Sequence, residues 1–256
     1  MGPQLIAANA ARKDHPAVRL MELRLESRAL NEAIDATAQF FKTKRVVACL
    51  GDRFALSCLC LAEPIRRSIV GAATTEDEGF ALVLRTKPSL VICSSDLERG
   101  YGIDLLKRVK AELPTCQLLI LLVRETQEVV QEAMEAFADG VIFKSSLGTG
   151  KGDFMQALAT LAEGGVYFPE EIRRLGAAQA PKPDLPPLIE ELSERELEVV
   201  AAVARGLKNN AIAGSLGISL ETVKTHVVNA MGKLGARDRT QLAVMALLYG
   251  LIDPLG

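Results

Sequence analysis

Residues 90 to 96, Leu-Val-Ile-Cys-Ser-Ser-Asp, are the stretch that most resembles a site of covalent chemistry. An apolar, partly β-branched run after Pro88 predicts a buried strand. A carboxylate at the end of such a strand, held over the edge of a parallel sheet, can act as a nucleophile. Here the strand ends at Ser94, and the carboxylate, Asp96, comes two residues later. Two other patterns suggest chemistry and resolve to structure. "GTGKGD" at 148–153 resembles a phosphate loop but lacks a glycine at Ser145 and a hydroxyl at Gly152, so it reads as a flexible loop. Five cysteines (Cys49, Cys58, Cys60, Cys93, Cys116) lie mostly in apolar runs and read as reduced core thiols. They form no CxxC pair or Cys/His cluster suited to zinc, and no metal or other cofactor is expected.

The elements that must position these residues are bounded by composition. A chain of 256 residues, 49% hydrophobic and 24% charged, is an ordered protein of one large or two smaller domains. It shows no bilayer-spanning run and no secretory h-region, so a cytoplasmic protein without membrane contact is expected. The net charge of −2 means that any nucleic-acid signal has to be local.

Residues 16–42 predict a long helix entered through Pro16, with Leu20, Leu23, Ser27, Leu30, Ile34, Thr37 and Phe41 along one seam. That seam suits either a coiled coil or a helix lying on its own domain. Apolar runs at 46–50, 67–71, 90–93, 118–123 and 141–143 alternate with helical patterns near 54–62, 75–85, 102–112, 127–138 and 153–163. Five strand–helix units predict an α/β domain with a doubly wound parallel sheet, whose chemistry sits at the carboxyl ends of the strands. Residues 176–189 carry four prolines and read as a linker, and 190–256 is all helical. The expected division is an extension at 1–43, the sheet domain at 44–175, the linker, and a helical domain at 190–256.

Ser193 and Glu196 form a capping box before the first C-terminal helix. A short second helix starts at Lys208-Asn209, and Ser219 caps a third that runs to about Leu234. Small Ala213, turn-forming Gly217 and apolar Val223 fall at offsets that let two helices cross closely, which is a helix-turn-helix signal. Val223, Val227, Ala230 and Leu234 make the inward face, leaving Thr225, Val228, Asn229, Gly232 and Lys224 outward. Between 207 and 240, Lys208, Lys224, Lys233, Arg237 and Arg239 outnumber Glu221 and Asp238, while the first helix is acidic. This local basic polarity suits DNA. The last helix, from about Arg239, has two apolar faces, one on Leu242, Met245, Ala246 and Tyr249 and the other on Val244, Leu247, Leu248 and Leu251. One face covers the domain, and the second calls for a partner.

The stretch from "LSERELEVV" to "RDRTQLAV" resembles the LuxR-type DNA-binding domain, and the alternating domain before it resembles a receiver (flavodoxin-like). The chain from about residue 44 is thus similar to a NarL/LuxR-family response regulator. The resemblance implies base contacts at Lys224, Thr225 and Val228, backbone contacts at Thr222, His226, Asn229 and Lys233, and dimerisation on DNA through the last helix. Arg239 joins the DNA-facing set. For His226 a buried, hydrogen-bonded role stays equally open.

A receiver phosphorylates an aspartate at the end of its third strand, using a pair of acids to hold Mg²⁺, a hydroxyl after the fourth strand and a lysine after the fifth. Carried onto this chain, those positions fall on Ser94, Gly51-Asp52, Leu122 and Lys144, so only Asp52 and Lys144 keep the required chemistry. Asp96 stands roughly 6–7 Å along an extended chain from the acceptor position. Rebuilding the pocket would need acids at 51 and 94 and a hydroxyl at 122.

The expectation is therefore a non-enzymatic, homodimeric transcription regulator that binds double-stranded DNA through a LuxR-type helix-turn-helix. Its pseudo-receiver would work without phosphorylation and present a surface to a protein partner. The alternatives left open are an adaptor that acts through the pseudo-receiver and a receiver phosphorylated at a shifted acceptor, Asp96. Operator, input signal and any redox role of Cys49 and Cys93 are not encoded legibly.

Overall fold

The computed structural model describes residues 38–63, 65–147, 154–177 and 189–254. Five parallel strands, β1 (Val46–Cys49), β2 (Ile69–Ala73), β3 (Leu90–Ser94), β4 (Gln117–Leu122) and β5 (Gly140–Phe143), form one sheet in the order β2-β1-β3-β4-β5. The intervening helices are α1 (Arg53–Leu61), α2 (Glu76–Thr86), α3 (Gly102–Glu112), α4 (Gln127–Glu135) and α5 (Phe154–Ala162). The central strands are buried on both faces, so they read as continuous apolar runs rather than as alternation.

Side-chain alternation sorts the strand residues between two cores. Val47, Cys49, Val91, Cys93, Ile120 and Leu122 pack toward the face covered by α2, α3 and α4. Val46, Ala48, Leu90, Ile92, Leu119 and Leu121 pack toward α1 and α5. Phe40 and Phe41 belong to the second core, so the sheet domain begins before residue 44. Only the 38–41 turn of the expected long helix is described; the seam from Leu20 to Thr37 lies outside the described residues, as do 148–153 and 178–188.

Two elements depart from expectation. Residues Ile65–Ser68 form a tight 3₁₀ turn, which moves β2 two residues later than its apolar run suggests. A further helix, α6 (Glu170–Ala177), follows Pro169 and extends to the start of the expected linker. Its acidic first turn and basic last turn complement the helix dipole. It packs on α4 and reaches the C-terminal helices.

Those helices are α7 (Glu194–Ala204), α8 (Asn209–Leu216), α9 (Leu220–Leu234) and α10 (Arg239–Leu248). The capping box at Ser193 and Glu196 is formed, and Ser219 caps α9. Gly217 ends α8 at φ 64°, the left-handed conformation that its position in the turn demands. No helix among the described residues is long and apolar enough to cross a membrane.

The helical unit docks on the sheet unit through α10. Thr240 donates to the buried Asp139 carboxylate, Arg173 of α6 donates to the Pro254 carbonyl at 2.9 Å, and Lys208 pairs with Glu163. Leu242, Ala243, Val244, Ala246 and Leu247 of α10 are all buried, in one continuous core with α6 and α7. The second apolar face of α10 therefore has a partner within this chain.

Candidate nucleic-acid interface and receiver pocket

On α9, Val223, Val227, Ala230 and Leu234 are buried and anchor the helix, while Thr222, Lys224, Thr225, Val228, Asn229 and Gly232 face outward. Thr225 and Thr222 are held locally: Thr225 donates to the Glu221 carbonyl at 3.0 Å, and the Thr222 N–H donates to Ser219 Oγ at 3.0 Å. Val228 is 66% exposed, an apolar side chain on the outward face of α9. A thymine methyl is the base feature that such a side chain can read. His226 is half-buried at the edge of this face.

The charges are more committed than their count suggests. Lys224 pairs with Glu221 at 2.7 Å on the open surface, where a phosphate can displace the carboxylate cheaply. Lys233 is different: its side chain is 22% exposed, and its ammonium lies 3.0 Å from Glu196 and 3.5 Å from Glu190 and donates to the Glu191 carbonyl. Glu196 is the buried carboxylate of the capping box, so Lys233 ties α9 to the start of α7. Burial pushes the Glu196 carboxyl up, but the Ser193 N–H and Lys233 outweigh it and hold the group below its ordinary value. The Glu196 bond raises Lys233 correspondingly. Arg239 is largely buried, which lowers its pKa, and it donates to Asn209 Oδ1 at 2.9 Å and to the Leu207 carbonyl. Lys233 and Arg239 are thus engaged within the module. Each side chain joins two helices of the module, because a cation near a buried acid or a helix end finds its partner there.

At the carboxyl end of the sheet, Gly51, Asp52, Ser94 and Lys144 come together around one cavity. Ser94 Oγ accepts from the Gly51 N–H at 3.2 Å and donates to the Asp96 carbonyl at 2.9 Å. Its proton is engaged by a backbone carbonyl, which cannot serve as a general base. Asp52 caps α1 through the N–H groups of Phe54 and Ala55 and lies 3.5 Å from Lys144 Nζ. The Ala55 N–H, with help from Lys144, holds its carboxyl below the ordinary value.

Leu122 is not a wall of this pocket. It is fully buried under the opposite face, and Leu121 and Val123 line the cavity instead. The reason is the period of two along a strand: Leu121 is the register partner of Ser94 and shares its face.

The residues present do not fit Mg²⁺. One carboxylate of the acid pair is missing at Gly51, and a Cβ there would stand 2.6 Å from the Asp96 carbonyl oxygen and 2.9 Å from Leu97 Cα. The 96–97 backbone thus occupies the space an acid would need. Asp96 is engaged by Arg124 at 3.2 Å and by Ser95 Oγ at 3.3 Å. Among the described residues no group of three His, Cys, Asp or Glu side chains could hold a metal.

Cys49 and Cys93 are register partners on β1 and β3 and fully buried. Interaction with the Cys49 sulfur, and then burial, raise the Cys93 thiol well above its ordinary value, which keeps it protonated near neutral pH.

Comparison with known proteins gives concordant results. The family described as bacterial regulatory proteins, luxR family, matches residues 190–246. The response regulator protein VraR of Staphylococcus aureus (strain N315) is 30% identical over 186 residues, covering 72% of this chain and 86% of its own length. The uncharacterized transcriptional regulatory protein YxjL of Bacillus subtilis (strain 168) is 32% identical over 195 residues, covering 73% and 86%. A solved structure of the RcsB response regulator of Salmonella typhimurium aligns with 81% of this chain and 97% of its own at 22% identity, with a TM-score of 0.46.

Proposed function

We propose that this chain, which belongs to the LuxR family of bacterial response regulators, binds operator DNA through α9 and does so without a phosphorylated receiver. Membership makes it a DNA-binding transcription regulator. The finer reading rests on the acceptor pocket. Ser94 stands at the strand end with its hydroxyl bonded to backbone on both sides, and the 96–97 segment fills the place of the missing acid. Phosphoryl transfer to a carboxylate needs a free nucleophile, a metal-bridged phosphate and in-line access. The first two have no counterpart among the side chains around Ser94.

DNA contact is assigned to Lys224, Thr225 and Val228 at the bases, with Thr222, His226 and Asn229 toward the DNA backbone. Pairing of two chains through α10 requires that helix to leave the sheet unit, since its second face is covered there.

Incubation of the full chain with acetyl phosphate and Mg²⁺, followed by peptide mass spectrometry, tests the phosphorylation reading. The expected result is an unmodified chain. Stoichiometric acyl phosphate on Asp96 would instead establish the shifted acceptor. The DNA reading is tested by anisotropy with genomic fragments recovered by the protein itself. Binding should weaken steeply with salt, and salt-insensitive or absent binding would favour the adaptor.

A further inference from the structure

The emptied acceptor pocket is large and apolar. The cavity that opens beside Ser94 encloses about 760 Å³, within the range of small-molecule sites. Its floor is the buried Leu121, Ile65 and Leu158, and its walls include Leu59, Phe154 and Leu147. It lies at the carboxyl ends of the strands, between α1 and α5, where open α/β sheets bind ligands.

Apart from Glu63, which lies past the far end of α1, the charged groups gather at the strand ends. There Lys144 Nζ and Asp52 Oδ2 lie 3.5 Å apart, a donor and an acceptor side by side. The other lining acids are already paired: Asp96 with Arg124 at 3.2 Å and Glu63 with Arg67 at 3.8 Å. Each of these cations already serves an acid, Lys144 with Asp52, Arg124 with Asp96 and Arg67 with Glu63, so a phosphate or another anion would find no surplus positive charge to compensate it. A head group that is uncharged but both accepts and donates suits the Lys144–Asp52 pair better.

We infer that this cavity is a binding site for a small apolar organic molecule carrying one uncharged hydrogen-bonding head, such as a hydroxyl, arylamine or amide. A helical segment is the competing occupant. A helix about 10 Å across could lay only one face into a space of about 760 Å³, and its backbone is already hydrogen-bonded, so it would bring no head to the Lys144–Asp52 pair. The head seats against Lys144 and Asp52, and the body replaces water on the leucine walls, where burial of apolar surface drives association. The inference rests on the reading that this pocket takes no phosphoryl group. The two fail separately, because the experiment below contains neither phosphodonor nor Mg²⁺.

The test titrates the full chain with the uncharged fluorophore N-phenyl-1-naphthylamine. Blue-shifted emission should saturate at one probe per chain. Ala55→Trp and, independently at the rim, Cys58→Trp should each weaken binding about tenfold or more with the melting transition retained. Leu84→Ser, which removes an exposed leucine outside the cavity, should change nothing. The anionic analogue 8-anilinonaphthalene-1-sulfonate should bind about tenfold more weakly than the neutral probe. Absence of saturable binding, or equal binding in both tryptophan variants that melt normally, overturns the site. Tighter binding of the anion overturns the assignment of an uncharged head.

Discussion

The Thr240 hydroxyl at the start of α10 donates to the Asp139 carboxylate just before β5, joining the DNA-binding unit to the receiver-like unit in a buried position. Asp139 also accepts from Lys110 Nζ at 3.1 Å and from the Leu118 N–H at 2.8 Å, so the receiver-like unit itself holds the acceptor in place. Thr240→Val keeps the shape and removes only the donor. It should cost about 1 kcal/mol of docking, read as a lowered melting temperature and faster protease cleavage between the two units. Unchanged cleavage in the variant would show that the contact does not hold the units together.

Lys224 and Lys233 should behave differently on DNA. Lys224→Ala should lose about 1–3 kcal/mol of specific binding and reduce the salt slope by about one unit. Lys233→Ala should leave the salt slope unchanged, because its ammonium serves Glu196, and should show its effect in thermal stability instead. A slope that falls equally in both variants would return Lys233 to the phosphate-contacting set.

Val228→Ser should relax selection for a thymine within the operator while leaving non-specific affinity unaltered. The loss expected is about 1 kcal/mol, the lower end of what one misread base pair costs. Systematic single-base changes in a bound fragment give the answer. Identical base preferences in the two proteins would remove Val228 from the reading face.

The Glu196–Lys233 pair sets a pH window. Glu196 is held below its ordinary 4.5, so the unfolded chain takes up the proton first. Its contribution is complete above pH 4.5 and is lost as pH falls through the lower folded value. Lys233 is raised above its ordinary 10.5, so its share is complete below that pH and is lost as pH rises through the folded value. Lys233→Met should therefore destabilise near neutral pH, with the gap to the native chain closing in acid. A gap constant from neutral to acidic pH would contradict the pairing.

Ser94→Asp should not restore phosphorylation, and neither should the triple change with Gly51→Asp and Leu122→Thr. The side chain at 122 points into the opposite core, and a Cβ at 51 meets the 96–97 backbone. Acetyl phosphate labelling of the triple variant decides this. Efficient labelling would mean that the 96–97 segment moves aside readily.

The helix-turn-helix was legible because its geometry is local: Ala213, Gly217 and Val223 fix a crossing within a few turns. The sheet was legible for a similar reason, each strand being one short apolar run. What escaped depends on distant partners. Counting back from Lys144 reaches Leu122, yet the face is set by pairing with β3, where Leu121 stands opposite Ser94. The basic residues could be counted in the sequence, but not the acids that hold Lys208 and Lys233. Helix α6 is short and strongly charged, and its apolar side, centred on Ile172, makes sense only against α4 and α10. The cavity had no signal at all, since it is the space left between α1 and α5.

The docking of α10 gives any pairing through that helix a built-in amplifier. Each of two chains would have to release its helix, so the population able to pair rises with the square of the released fraction. A change of about 1 kcal/mol in docking alters that fraction about fivefold, and the paired state about twenty-five-fold. A weak event on the receiver-like side could therefore switch operator occupancy sharply, with no change in the residues that touch DNA.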